Sequence, residues 1–210
     1  MRWWLLTATL LMSSFAMADP LTDAAAHFEA LQSYQVTLRS VDASGAQQVI
    51  RYFYRKPGWI RMDFVKPHHG AVLIYSPDSR RVHLWPFGLH HWPTLDLAPD
   101  DGLLRGPRGR RVDRSDFGVL LADILALREH GSTTPLGHTH VAGRAATELE
   151  VVGTTDSPAS HVRRFRIWLA DDTSLPLRVE SFAANESRIE TVDMSDVQAD
   201  VPFPERFFTP

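Results

Sequence analysis

The chain has 210 residues, no cysteine and a formal net charge of −3, with 22 lysines and arginines against 25 aspartates and glutamates. Without cysteine, a disulfide framework, thiolate chemistry and a lipidated N-terminal cysteine are all excluded. The slight acidic excess argues against nucleic acid as a partner, because nucleic-acid binding favours a basic surface. The length suits one domain, or at most two small ones.

The first 18 residues predict a cleaved export signal. Arg2 supplies a positive start, residues 3–12 are mostly apolar, and Ala16-Met17-Ala18 forms a small-x-small cleavage pattern. The mature chain should then begin at Asp19 and occupy residues 19–210 as a single domain. No later segment approaches the roughly 18 uninterrupted apolar residues typical of a membrane-spanning helix. Export without disulfides favours a bacterial periplasm.

The N-terminal half predicts one helix followed by an antiparallel meander. Asp19-Pro20 is a favourable helix start, and apolar residues recur at helical spacing from Leu21 to Leu31. Alternating apolar runs, separated by turns rich in Pro, Gly, Asp and Ser, then predict strands. The five strands are expected at residues 34–42, 48–55, 59–65, 71–75 and 81–85.

The C-terminal half predicts a loop, a helix and a second meander. Residues 86–114 are rich in Pro, Gly, Asp and Arg, which is typical of a long loop. Ser115 and Asp116 open a helix with one apolar stripe, and Gly131 should end it. The aromatic, proline-rich tail at 201–208 should pack along a sheet edge. Further strands are expected at residues 138–142, 145–152, 162–169, 175–182 and 186–192.

Together these elements predict an α+β fold. A long antiparallel sheet should curve around an inner face of bulky apolar side chains, with the two helical segments covering its concave side. Such a sheet can hold an apolar ligand. The alternative for the same side chains is ordinary core packing, and the residues alone leave both interpretations open.

Four short motifs, taken in order, resemble a known family. They are Asp42-Ala43-Ser44-Gly45; Arg55-Lys56-Pro57-Gly58 with the strand Trp59 to Phe64; Ile74 to Asp78 with Leu84 to Phe87; and Ile167 to Asp172 with Leu175 to Glu180. In this order the mature chain resembles the LolA/LolB-like superfamily of periplasmic lipoprotein carriers, particularly its outer-membrane lipoprotein-sorting-protein-like branch. The resemblance implies an incomplete antiparallel β-barrel, plugged by helices, with a hydrophobic cavity that accepts acyl chains.

Candidate binding residues follow from the apolar faces and from this resemblance. The cavity wall is expected to contain Ile60, Met62, Phe64, Ile74 and Leu84. The helical lid is expected to contain Phe28, Leu31, Phe117, Leu120, Leu121 and Ile124.

The resemblance also implies a latch between the lid and a turn. In the carriers, an arginine before the turn proline helps to hold the helical lid. This chain has Lys56 there, with Arg55 beside it. Lysine lacks the planar fork of arginine, so the latch is expected to be altered.

Other polar clusters have simpler explanations. The pairs His68-His69, His90-His91 and His138-x-His140 are expected to be surface histidines, since zinc needs three or four converging ligands. The arginines at 105, 108, 110, 111 and 114 are expected to form a solvated loop, although a contact with lipid phosphates or with an acidic partner surface is the alternative. The chain lacks a Gly-x-Ser-x-Gly elbow, a His-Glu-x-x-His motif and a glycine-rich phosphate loop. No catalytic residue, metal or cofactor is therefore predicted.

The sequence thus predicts a periplasmic binding protein that is not an enzyme. It would carry the acyl chains of a lipid or lipoprotein towards the outer membrane, with a donor protein at the inner membrane and an acceptor at the outer membrane as implied partners. A lipid-sensing regulator of an envelope process is the first alternative. A hydrolase of cell-envelope lipids is the second and less favoured one.

Overall fold

A computed structural model describes residues 19–104, 111–155 and 161–210. The predicted export signal and the arginines at 105, 108 and 110 lie outside these residues. Neither of the α-helices in the described ranges is long and apolar enough to cross a bilayer.

The described residues form two α-helices, two short 3-10 turns and twelve strands. In chain order they are α1 (Pro20–Ala30), β1 (Ser33–Asp42), β2 (Gln47–Arg55), β3 (Trp59–Lys66), β4 (Val72–Ser76), β5 (Arg81–Trp85), β6 (Leu95–Leu97), the 3-10 turns Gly102–Leu104 and Val112–Arg114, α2 (Phe117–Glu129), β7 (Gly131–Val141), β8 (Arg144–Gly153), β9 (Arg164–Ala170), β10 (Pro176–Phe182), β11 (Arg188–Asp193) and β12 (Gln198–Ala199).

All described strands belong to one antiparallel sheet. Its order is β6-β5-β4-β3-β2-β1-β11-β10-β9-β8-β7, with β12 paired to β1 beside this path. The sheet is strongly curved but does not close, because β6 and β7 remain as edges. β1 joins the two meanders: it pairs with β2 along its length and with β11 over residues 39–42. The predicted α+β fold, an incomplete antiparallel β-barrel with helices on its concave side, is confirmed.

The two helices are capped by aspartates and touch each other closely. Asp19 accepts a hydrogen bond from the backbone N–H of Leu21 at 3.2 Å, and Asp116 accepts one from Val119 at 3.0 Å. Arg128, in the last turn of α2, donates to Asp19 at 2.5 Å and so ties the C-terminal end of α2 to the start of α1. The helices therefore form one unit over the sheet.

An aromatic cluster fills one end of the barrel. The ring of Tyr34 stacks on Phe117 at 4.4 Å and on Tyr54 at 5.1 Å, and Phe28 of α1 packs on Tyr54 at 5.7 Å. Leu21 and Phe28 of α1 are both buried in the same hydrophobic core. α1 thus seals the aromatic end of the barrel.

Two predicted boundaries are wrong. The long loop expected at 86–114 contains β6, which pairs with β5 through Leu95 to Leu97 and is held by a 2.8 Å hydrogen bond from Arg81 to Asp96. β7 begins at Gly131, earlier than expected, and passes through Pro135. Proline is tolerated there because β7 is an edge strand.

The C-terminal tail packs on a face of the sheet, and the predicted edge position is wrong. Phe207 contacts Phe53 with ring centroids 5.0 Å apart, and the guanidinium of Arg61 lies 4.4 Å from the ring of Phe207. Phe53 and Arg61 alternate with the inward residues of β2 and β3, so this is the convex face. The tail covers the outside of the sheet at β2 and β3.

Candidate functional site

A cavity of about 450 Å³ lies between the concave face of the sheet and the start of α2. Its lining comes from β1 to β6, from β10 and β11, and from the 3-10 turns before α2. Most of the lining side chains are apolar. Leu103, at the rim, is 74% exposed, so the cavity reaches the protein surface beside it.

Three of the five predicted wall residues line this cavity. Met62, Phe64 and Leu84 face it from β3 and β5. Ile60 is also turned inward, but it is 1% exposed within the core and pairs with Tyr54 and Tyr75 near the aromatic end. It packs against protein instead of lining the cavity.

Ile74, predicted on the same wall, lies on the opposite face of the sheet. It packs with Val72 and Trp85 in a separate buried cluster behind β4. Its neighbour Leu73 takes the cavity position, in register with Met62 and Leu84. All five residues of β4 are buried, so the strand shows no alternation of polar and apolar residues that would assign its faces.

The predicted lid residues divide between cavity and core. Phe117 and Leu120, in the first turns of α2, line the cavity. Leu121 and Ile124 are fully buried deeper in the core. Phe28 and Leu31, at the end of α1, are also buried in that core. Of the predicted lid, the N-terminal part of α2 therefore covers the cavity.

The two predicted latch residues point to different structures. The Nζ atom of Lys56 donates a hydrogen bond to the backbone carbonyl of Glu29, near the C-terminal end of α1, and lies 3.9 Å from the carboxylate of Glu29. The guanidinium of Arg55 instead lies 4.8 Å from the ring of Phe208 in the C-terminal tail. Lys56 thus contacts α1, whereas Arg55 contacts the tail.

Sequence reasoning missed much of the lining. Leu38 and Ile50 alternate correctly with their neighbours and could have been assigned from that pattern. Val179, Val192 and Met194 come from the second meander, which curves round to meet the first. No short motif in the sequence predicts that the second meander curves round to the cavity.

Two buried tyrosines connect the sheet to the start of α2. The backbone N–H of Phe117 donates to the hydroxyl of Tyr34 at 3.2 Å, and the hydroxyl of Tyr52 lies 3.2 Å from that of Ser115. Burial is the main cause that raises the pKa of both Tyr34 and Tyr52 above the ordinary range. Both therefore stay neutral and act as fixed hydrogen-bonding groups that hold the start of α2.

Polar side chains occupy two separate parts of the lining. Arg111, Ser115 and Asp116 lie beside α2, and Arg111 is paired with Asp113 at 2.8 Å and 3.0 Å. Ser40, Gln48 and Glu190 lie at the far ends of β1, β2 and β11. The hydroxyl of Ser115 donates to the carbonyl of Val112 at 2.7 Å, a structural contact.

The histidines are spread over the molecule. His138 lies 3.5 Å from Asp171, and the Nδ1 atom of His91 lies 3.1 Å from the carbonyl of Phe87. His68 lines the cavity rim. Within the three described ranges, no group of three or more His, Asp or Glu side chains converges as a metal site would require.

Comparisons with known proteins place this architecture among related folds. Residues 108–210 match the family model of the MucB/RseB N-terminal domain. No curated protein sequence matches the chain.

Three solved structures share the fold at low sequence identity. An uncharacterized conserved protein from Thermus thermophilus superposes with a TM-score of 0.55 and 9% identity, covering 91% of each chain. The lipoprotein LppX of Mycobacterium tuberculosis superposes with a TM-score of 0.53 and 10% sequence identity, covering 88% of this chain and 95% of LppX. MucB superposes with a TM-score of 0.51 and 17% sequence identity, covering 91% of this chain but only 61% of MucB. The chain therefore shares the fold of these three proteins, and its second half is similar to the MucB/RseB N-terminal domain.

Proposed function

We propose that this protein binds the acyl chains of a lipid or lipoprotein in the cavity under α2 and carries them through the periplasm towards the outer membrane. The observation that supports this most is the cavity itself. Its volume of about 450 Å³ lies within the roughly 300–1,000 Å³ typical of small-ligand sites. Its walls are apolar where three predicted residues, Met62, Phe64 and Leu84, meet.

The energetics suit a carrier. Each buried methylene contributes about 0.8 kcal/mol, so a 16-carbon chain gains on the order of 12 kcal/mol on leaving water. A bilayer offers a similar gain, so only a small difference in free energy is needed to move the chain between cavity and membrane. The role assigned to the protein is therefore binding and shielding, with no bond made or broken. Donor and acceptor proteins at the two membranes would supply that difference in free energy.

A lipid-responsive regulator is the second candidate function. The match of residues 108–210 to the MucB/RseB N-terminal domain favours it. MucB itself has been crystallised in complex with MucA. In such a role the same cavity would bind lipid, and occupancy would change affinity for a protein partner. Because the chain spans 61% of the length of MucB, this role is proposed from the shared part alone.

Placing a charge in the wall tests the acyl-binding proposal. Phe64 lines the cavity and is only partly buried, so Phe64→Glu should leave the fold intact. A carboxylate facing an alkyl chain loses its water on binding, which costs several kcal/mol. We expect the affinity for a fluorescent 16-carbon acyl probe to fall at least about a hundredfold.

The matched control is Leu136→Glu. Leu136 is an apolar residue of the edge strand β7, 43% exposed and outside the cavity lining. This variant should bind the probe like the unmodified protein. Equal loss of binding in both variants, or unchanged binding in Phe64→Glu with an intact circular dichroism spectrum, would contradict the proposal.

A further inference from the structure

The cavity ends at one level along the strands of the first meander. Inward residues alternate along β3, β4 and β5, and the register of these strands aligns them as two rows across the sheet. The row that lines the cavity consists of Met62, Leu73 and Leu84. The next row, two positions away on each strand, consists of Ile60, Tyr75 and Val82. This second row lies outside the lining and is buried in the core, so it forms a floor beneath the cavity.

The closed end is also fixed from the side of α2. Phe117 lines the cavity there, and its ring stacks on that of Tyr34 at 4.4 Å. The backbone N–H of Phe117 donates to the hydroxyl of Tyr34 at 3.2 Å. The rim, by contrast, is open to solvent beside the exposed Leu103. A chain that enters from the rim therefore stops at a fixed depth.

The volume of the cavity sets how much of an acyl chain it can hold. An apolar cavity of about 150 Å³ accommodates one benzene molecule, which corresponds to about 25 Å³ for each carbon. By that measure, the cavity of about 450 Å³ holds on the order of 18 carbons. Two palmitoyl chains together would need on the order of 800 Å³. One long acyl chain therefore fills the space between the floor and the rim.

From the floor, the rim and this capacity we infer that the protein binds an amphiphile with a single long acyl chain, such as a fatty acid or a lysophospholipid, one chain to each protein molecule. The inference rests on the proposed acyl-binding function and specifies its ligand class. A lipid with two chains would leave its second chain in water at the rim, whereas a bilayer buries both chains. The protein should therefore leave two-chain lipids in the membrane.

Fatty acids of increasing length test this capacity. Saturated acids of about 10 to 22 carbons, each below its aggregation limit, compete with a fluorescent acyl probe for the full chain. Each added methylene should raise the affinity about fourfold until the cavity is full. Beyond about 18 carbons the affinity should rise no further, because the extra methylenes remain at the rim. In native mass spectrometry, an excess of palmitate should give one bound chain and no second one.

Vesicles distinguish single-chain from two-chain lipids. The protein is incubated with vesicles of dipalmitoyl phosphatidylcholine that contain a minor fraction of palmitoyl lysophosphatidylcholine, and is then separated from them. The protein should carry away the lysophospholipid and leave the dipalmitoyl lipid behind. Removal of the dipalmitoyl lipid would overturn the single-chain assignment.

Two substitutions in the lining should move the length limit in opposite directions. Ala71 is a buried lining residue, and Ala71→Leu fills part of the cavity and should lower the limit by about three carbons. Leu84→Ala empties part of the lining and should raise the limit by about three carbons. Leu84 is only partly buried, so this second variant should fold even if Ala71→Leu does not. Ala145→Leu is the matched control and should leave the limit unchanged, because Ala145 is exposed on β8 outside the lining.

The length limit separates this inference from the proposed function. An affinity that still rises at about 22 carbons, a second bound palmitate, or a limit that neither lining variant moves would overturn the single-chain assignment alone. Failure of every fatty acid and of the lysophospholipid to bind the unmodified protein would overturn the proposed function with it.

Discussion

Single residues decide which face of the sheet serves the cavity. Leu73 faces the cavity, whereas the adjacent Ile74 packs behind the sheet with Trp85. A shift of one residue in a strand exchanges its two faces. Both faces of β4 are covered, so the hydrophobic pattern could not distinguish them. β3 could be assigned, because Arg61 and Asp63 mark its outward face between Ile60, Met62 and Phe64.

At the same scale, Lys56 is predicted to hold the C-terminal end of α1. Its ammonium contacts the carbonyl of Glu29, where the helix dipole favours a positive charge. Replacing Lys56 with Met should lower the free energy of unfolding by about 0.5–1 kcal/mol. Amide hydrogen exchange followed by mass spectrometry should show faster exchange across residues 20–31.

Arg55→Met is the control for this prediction. The guanidinium of Arg55 packs over Phe208 and Trp59, so its removal should loosen the C-terminal tail and leave α1 unchanged. Faster exchange in α1 of the Arg55 variant, or none in the Lys56 variant, would show that Lys56 is not the latch.

Between elements, the contact of α1 with α2 depends on one glycine. A methyl group on Gly118 would lie 2.3 Å from Cε1 of Phe28. The ring of Phe28 has little room to move, because it packs against Tyr34 and Tyr54. Gly118 therefore permits the close approach of the two helices.

Gly118→Ala is accordingly expected to destabilise the protein. Alanine favours helix over glycine by about 1 kcal/mol, but overpacking a filled site costs about 1–3 kcal/mol. We expect a net loss of stability in urea denaturation, partly recovered when Phe28→Leu is added. Gly102→Ala, with no heavy atom within 4 Å of the new methyl group, should have little effect. Gains in stability from Gly118→Ala would contradict the packing described here.

The elements themselves were largely predictable, and their contacts were not. Helix caps at Asp19 and Asp116 and the alternation of β1 to β3 are local signals, and the structure follows them. β6 is three residues long and is specified by pairing with β5, which no local pattern reports. The position of the tail over Phe53 likewise depends on contacts distant in sequence.

For the whole molecule, the titration of aspartates predicts a loss of stability in acid. Partial burial raises the pKa of Asp196, but hydrogen bonds from Thr37 and Arg39 outweigh it and lower the pKa below the ordinary 3.8. Burial also raises the pKa of Asp19 and Asp172, but hydrogen bonds from Thr22 and Arg128 outweigh it at Asp19, and the hydrogen bond and charge of Arg144 outweigh it at Asp172. A pKa lower in the folded state adds stability above the unfolded value, and this stability is lost as the pH falls through the folded value.

The urea midpoint should therefore fall as the pH drops below about 4. Asp196→Asn should be less stable than the unmodified protein at pH 6, because the amide bonds Arg39 more weakly. The difference should shrink at pH 3, below the ordinary pKa of 3.8, because protonation of this carboxyl group in the unfolded chain then favours unfolding of the unmodified protein. A difference that does not change with pH would contradict this assignment.

The cavity depends on the shape of the whole sheet, which curves without closing. It also depends on α1, which fills only one end of the concave side. Native mass spectrometry of the full protein, expressed in bacteria and purified without detergent, tests this most directly. The account predicts a bound amphiphile with a long acyl chain, displaced by the added fluorescent 16-carbon acyl probe and absent from Phe64→Glu. Bare protein that takes up no acyl chain when one is supplied would contradict it.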